Sequence, residues 1–356
     1  MTRPTTLLLA LALVLPAAAP AVEAVKWSDR LPTDAAWLSG PTGRAIAENL
    51  LLYQFPSGGW PKNIDMARPL AAEERAALTR RKEEATIDNG ATTAQVRFLA
   101  RAFGATSDPR YRAAAERGID YLLAAQYPNG GWPQYFPLRE GYYTRITFND
   151  GAMANVLAVL RAVGEGKEPF AWTDEARRAR ARDAVARGID CILRCQVVRA
   201  GVRTAWAAQH DETTFAPAWA RKFEPPTLAS AESVGVVRFL MGLERPTPEV
   251  VAAVEAAVAW FERTKILGLR VEEVPAPDLP KGRDRVAVPD PAAGPVWARF
   301  YELETDRPVF MGRDSVVHYR LDEIEHERRI GYAWYNDTAR RLLEREYPAW
   351  KARLSR

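Results

Sequence analysis

The sequence predicts a mainly α fold, an (α/α) toroid of repeated helical hairpins with a small region of short strands near the C-terminus. Three observations carry that prediction. Gln54, Gln126 and Gln196 each close a stretch of helical periodicity, and they fall 72 and 70 residues apart. The first two are followed by nearly the same loop, Phe-Pro-Ser-Gly-Gly-Trp-Pro at 55–61 and Tyr-Pro-Asn-Gly-Gly-Trp-Pro at 127–133. The tetrapeptide Arg-Gly-Ile-Asp stands at 117–120 and again at 187–190. A period of about 70 residues holding two helices describes hairpins that bury their apolar faces against their neighbours.

Residues 25–40 read as an irregular lead-in, and a first helix is expected over about 43–54. The charged stretch with Glu73, Glu74, Arg80, Arg81, Lys82, Glu83 and Glu84 suits a solvated surface. Thr-Ile-Asp-Asn-Gly-Ala-Thr at 86–92 leads into a helix running to Phe103. Asp108–Pro109 is a helix start, a capping carboxylate with proline at the first helical position, for the helix that ends at Gln126. A loop rich in aromatic residues then delivers Asn149–Asp150 to a helix with Val156, Leu157, Val159 and Leu160 on its apolar face. Thr247–Pro248 opens a further helix that ends near Lys265. Beyond about 267 the pattern changes: 271–295 reads as a long loop, 296–302 and 308–310 as short strands, and about 332–346 as a last helix.

The 356 residues, 47% hydrophobic and 26% charged, fit an ordinary globular chain with a large core. The organisation expected is a signal peptide over 1–24 followed by one catalytic domain over 25–356. Arg3 supplies the positive end, residues 7–15 the apolar run, and Val-Glu-Ala at 22–24 the small-residue cleavage site. That run is too short to span a bilayer, so the mature chain is expected in the periplasm or outside the cell, off the membrane and monomeric. Cleavage removes one Arg and one Glu and leaves the net charge at +4, compatible with a polyanionic substrate. Three His and two Cys, the latter four apart at 191 and 195, suit buried thiols better than a zinc site. A nucleotide enzyme has no Gly-rich phosphate loop here, a serine hydrolase no nucleophile elbow, and a nucleic-acid module no signature.

Asp88–Asn89 and Asn149–Asp150 each precede a helix, so one carboxylate in each place could be a plain N-cap. Capping leaves the mirrored carboxylate–amide pairs unexplained. Carboxylates from two loops on one rim are also a way to hold Ca²⁺, which takes oxygen ligands. Arg221 and Lys222 lie in Ala-Arg-Lys-Phe-Glu-Pro-Pro at 220–226, where two prolines stiffen the chain. Exposed cations are the plain reading of such a pair, and a fixed functional cation the other. Arg299 and Arg313 flank the short strands as planar forks able to grip carboxylates.

Together these stretches resemble the pectate lyases of polysaccharide lyase family 10. The resemblance rests on SGGWPKNID (57–65), TIDNGAT (86–92), YPNGGWPQ (127–134), ITFNDGAM (146–153), QHDE (209–212), PAWARKFEPP (217–226) and RFYELETDRPVFMGRD (299–314). It implies a secreted enzyme that cleaves polygalacturonate by Ca²⁺-dependent anti-β-elimination and leaves 4,5-unsaturated oligogalacturonates. It also implies Asp88 and Asp150 as calcium carboxylates with Asn89 beside them, and Arg221 as the base. Arg299 and Arg313 would be substrate clamps, with Lys62 and Asn63 as further binding groups. Residues 117–132 are similar, too, to the Gln–Trp repeat of triterpene cyclases, although the chain lacks their acidic protonation motif. A catalytically silent polygalacturonate-binding protein is the other alternative.

Overall fold

Proline or a capping Asp or Thr opens four of the longer helices of the computed structural model, which describes residues 23–78 and 80–355. The signal peptide expected over 1–24 lies almost wholly outside the described residues. After α1 (Ala35–Ser39), α2 (Pro41–Tyr53) starts on its proline, and α3 (Ala72–Leu78) is a short exposed turn of helix. The first full hairpin is α4 (Thr93–Thr106) and α5 (Pro109–Ala124), and Asp108 caps α5 by accepting from the Arg110 amide. The second is α6 (Ala152–Gly164) and α7 (Glu175–Cys195), capped by Asp174. The third is α8 (Ser230–Met241) and α9 (Pro248–Thr264), capped by Thr247. Helices α4, α6 and α8 lie side by side in one layer, with α5, α7 and α9 side by side behind them; α2 packs against the first hairpin.

One device repeats at each step. Gln54, Gln126 and Gln196 donate back into their own loops, to the carbonyls of Gly58, Gly130 and Thr204. They donate also into the next outer helix, to the carbonyls of Ala114, Ala184 and Ala253. Trp60, Trp132 and Trp206, all fully buried, donate their indole N–H to Leu50, Leu122 and Ile192. At Gly118 the side chains of Val96 and Trp60, and at Gly188 those of Leu157 and Trp132, leave no room for a Cβ. Each amide thus ties its loop to the next outer helix, and each indole bonds a carbonyl in the last turn of the helix before it. Both cysteines are free and buried on α7.

The expected fold class needs correction. Helices make up under half of the described residues, and strands are not confined to a region near the C-terminus. They begin at β1 (Ile146–Thr147) and continue through β2 (Val198–Arg199), β3 (Val202–Arg203), β4 (Gln209–His210) and β5 (Leu228–Ala229), which sit among the helices. The stretch read as a long loop holds the longest pairing, β6 (Leu269–Pro275) against β7 (Arg283–Pro289). Then follow β8 (Trp297–Ala298), β9 (Phe300–Tyr301), β10 (Pro308–Met311), β11 (Val317–His318), α10 (His326–Gly331) and β12 (Tyr335–Asn336). The last helix begins later than expected, as α11 (Thr338–Arg341), a π-turn, and α12 (Tyr347–Leu354). Most of these strands are two residues long, too short for an alternating pattern to announce them.

Two pairings place the site. Strand β1 lies antiparallel to β4, with Thr147 opposite Gln209, so the loop before α6 is laced to the loop after α7. Strand β5 joins β9 in a four-stranded sheet of order β11-β10-β9-β5, which brings the start of α8 against Arg299. Beneath that sheet Phe223, Phe300, Phe310, Met311 and Trp334 form a second, smaller core.

Candidate active site

The two rim motifs are one backbone used twice. Asp88–Gly90 and Asn149–Gly151 are single 3-10 turns whose middle residues, Asn89 and Asp150, sit at φ +50° and +51°. Asn and Asp tolerate this left-handed conformation better than other side chains, and a glycine follows each. In both turns the first residue is buried and the second is not. Asp88 is therefore an inner carboxylate and Asp150 an outer one. Neither caps a helix: α4 begins after Thr92 and α6 after Gly151, with no side-chain cap at either end.

Hydrogen bonds fix both turns from behind. The Thr86 hydroxyl and the Ile87 amide donate to the Gln134 carbonyl at 2.6 and 3.2 Å, and the Phe148 and Asn149 amides to the Ala208 carbonyl at 2.8 and 3.0 Å. His210 stands behind the second turn, fully buried, bonded to the Ala207 amide and the Phe215 carbonyl. Burial lowers its pKa to about 4, so it is neutral.

Lys62, Asn63, Asp88, Asn89, Asn149, Asp150 and Arg221 meet around one polar cavity of about 130 Å³, which Gln134, Tyr142, Gln209 and Glu224 complete. It opens through Lys62, Asn63, Asn89 and Asp150 into a larger cleft of about 600 Å³ that extends to Lys26 and Trp27. Lys62 donates to Asp88 Oδ2. Burial works against the ammonium, but the bond to Asp88 and its charge outweigh that and hold Lys62 above its ordinary pKa. Asp88 Oδ1 and Gln134 Oε1 are buried and make no hydrogen bond. Asn89 donates to Asn63 at 3.0 Å, and Asp150 accepts from Asn149 at 2.7 Å.

Among the described residues no three His, Cys, Asp or Glu side chains cluster as a metal site. The donor set nevertheless fits a hard cation: two carboxylates and the Gln134 amide oxygen, two of whose oxygens are orphaned, border one small cavity.

Arg221 stands in a tight turn, the Glu224 amide bonding to its carbonyl at 2.8 Å. Its Nε and Nη2 form a fork onto Glu224, whose Oε1 also accepts from the Tyr332 hydroxyl at 2.6 Å. Burial disfavours the guanidinium charge, but the Glu224 carboxylate more than compensates and raises the pKa of Arg221.

Arg299 and Arg313 are placed differently from the others. Arg299 lies behind Asp150, 11% exposed, with Nη2 at 2.6 Å from Glu232 and 3.7 Å from Asp150. Arg313 is exposed outside the cavity and paired with Glu327 at 3.0 Å. The carboxylates that occupy three of these cations, Glu224, Glu232 and Glu327, carried no signal in the sequence. Glu224 lay inside a quoted motif without a role, and Glu232 reads as one polar residue on a helix.

Comparison with known proteins shows the family. The family model described as pectic acid lyase matches residues 54–343. No curated protein matches the sequence. Among solved structures, a family 10 polysaccharide lyase from Cellvibrio cellulosa is 35% identical with TM-score 0.76, over 86% of this chain and 92% of that one. A mutant of such a lyase from the same organism, in complex with trigalacturonic acid, is 34% identical with TM-score 0.76, over 89% of this chain and 97% of its own. On the family model and the solved structures, the chain belongs to the family 10 pectate lyases and is an enzyme of that class.

Proposed function

We propose that the protein is exported and cleaves polygalacturonate by anti-β-elimination in the cavity between the two rim turns, with Ca²⁺ as cofactor and Arg221 as base. The observation that carries this reading is the convergence of Asp88, Asp150, Lys62 and Arg221 on one 130 Å³ space from four separate loops. The substrate class follows from the related lyase in complex with trigalacturonic acid. Asp88 and Asp150 would hold the cation. When bound it would supply positive charge to the carboxylate next to C5, whose own charge makes the C5 proton a poor acid.

The chain's residues do the rest. Lys62 and Asn89 bind the sugar at the cavity wall, Arg313 meets a carboxylate further out, and Arg299 supports Asp150 from behind. Arg221 takes the C5 proton; the C5–H electron pair becomes the C4–C5 double bond as the C4–O4 bond breaks. The Glu224 pair keeps Arg221 protonated at rest, so it must first release a proton. A divalent cation nearby favours that release, because like charge disfavours the charged form.

Arg221→Lys tests the assignment, since it keeps the charge and changes the reach. Turnover should fall by orders of magnitude while trigalacturonate binding, followed by calorimetry, is nearly unchanged. Near wild-type turnover, or a defect wholly in affinity, contradicts the base.

A further inference from the structure

We propose that Glu224 is a positioning residue for Arg221, with Tyr332 fixing Glu224 in turn, so that the guanidinium meets substrate through a single preset edge. The inference rests on the reading of Arg221 above and extends it to two residues that reading leaves without a role.

Glu224 is 2% exposed and borders the polar cavity, in a turn whose Lys222 is exposed and whose Phe223 joins the second core. Its side-chain bonds converge on Arg221, with one long-range partner, Tyr332. Oε2 accepts from Arg221 Nε at 2.7 Å and from the Arg221 amide at 3.2 Å, while Oε1 accepts from Arg221 Nη2 and the Tyr332 hydroxyl. A fork through Nε and Nη2 fixes the guanidinium plane, because both contacts break if the plane turns. Nη1 makes no hydrogen bond to any described residue and is the nitrogen left for a ligand. Tyr332 comes from beyond α10 and packs edge-on to Phe223 at 5.5 Å between ring centroids, so the second core holds the relay. Its ring also lies under both guanidinium groups, 5.7 Å from Arg221 and 4.5 Å from Arg299.

A buried carboxylate bonded only to one arginine, its own turn and one tyrosine does little for the fold that an apolar group could not do. Its specific consequence is orientation and charge at Arg221. The other titratable and charged groups facing that guanidinium are Tyr332, Tyr142 from the aromatic loop, Arg313 from the turn after β10, and, across the cavity, Lys62, Asp88 and Asp150.

The test compares Glu224→Gln with wild type on polygalacturonate, with Arg221→Lys alongside. Glu224→Gln keeps the shape but lets the amide accept through one oxygen only. Its kcat should drop about 10²-fold, as for a reacting group misplaced by about 1 Å, with KM and trigalacturonate binding nearly unchanged. The limb of the pH–rate profile that Arg221 controls should move to lower pH, since the charge that holds its proton is gone. Tyr332→Phe removes only the second bond on Oε1 and should give a smaller loss of the same kind. If Glu224→Gln does not fold, Tyr332→Phe decides alone by the same kcat and KM readings. The proposal is overturned by kcat within twofold of wild type, or by a loss with an unmoved pH profile that follows the fraction folded. Wild-type inactivity on polygalacturonate, or an active Arg221→Lys, would sink the reading of Arg221 instead.

Discussion

The first and second repeats build the same rim turn and fill it in opposite ways. In the first, the carboxylate is Asp88, buried under the turn and paired with Lys62; in the second it is Asp150, on the outer position with its side chain 39% exposed. The exposed partner of the first turn is Asn89 and the buried partner of the second is Asn149. A shared backbone therefore does not mean a shared duty. Asp88 is compensated by a cation of its own repeat. Asp150 has only the more distant Arg299, which Glu232 already holds. The unpaired oxygen of Asp88 and the open carboxylate of Asp150 face one cavity from opposite repeats, and the asymmetry brings two acids together without burying both.

The largest effect expected from breaking that comparison is on turnover. Asp150→Ala and Asp88→Ala should each lower kcat on the order of 10²–10³-fold, the scale of losing one preorganised charge-stabilising group. Stability should separate them. Asp150→Ala should leave the melting temperature nearly unchanged, whereas Asp88→Ala strands the partly buried Lys62 ammonium and should cost about 1–3 kcal/mol. Equal stability losses, or full turnover in either variant, would end the distinction between inner and outer carboxylate.

Acid should loosen the second turn, which leans on His210. The native imidazole has its pKa lowered to about 4. Its stabilising contribution is therefore complete above the unfolded value near 6.5 and is lost as pH falls toward about 4. The gap of about 2.5 units corresponds to roughly 3 kcal/mol. Thermal melts from pH 7 down to 5 should show the onset, with uptake of about one proton on unfolding. A melting temperature flat across that range would contradict a neutral buried histidine.

A smaller effect tests the structural equivalence of the repeats. Gly118→Ala would drive a methyl group into Val96 and Trp60, and Gly188→Ala into Leu157 and Trp132. Both should cost about 1–3 kcal/mol, the range for overpacking a filled core. Urea midpoints that move for only one of them would show that the two Trp–Gly contacts are not the same device.

Much of this was legible because repetition amplifies weak signals. The Gln, the Gly-Gly-Trp loop and the Arg-Gly-Ile-Asp helix recur because each step between repeats needs the same carbonyls satisfied and the same indole lodged. The rim acids were legible for the same reason. Strands were not: β1 and β4 are two residues each, and the valine and charge of β6 and β7 stand among closely spaced prolines that read as a loop. That is why a mainly helical toroid was expected where the described residues are under half helical. The partners of the arginines were hidden for another reason. Glu232 meets Arg299 across 67 residues through the β5–β9 pairing, and no local pattern announces such a contact. The lysine against Asp88 was visible only as part of a motif, its pairing only in three dimensions.

The central claim, two carboxylates from two repeats serving one elimination, is tested most directly by the ultraviolet absorbance of unsaturated product from polygalacturonate. The protein should generate that absorbance with added Ca²⁺, lose it in excess chelator, regain it when Ca²⁺ is restored, and act poorly on highly methyl-esterified pectin. Full activity in excess chelator, equal rates on esterified pectin, or chain cleavage without the unsaturated chromophore would contradict it.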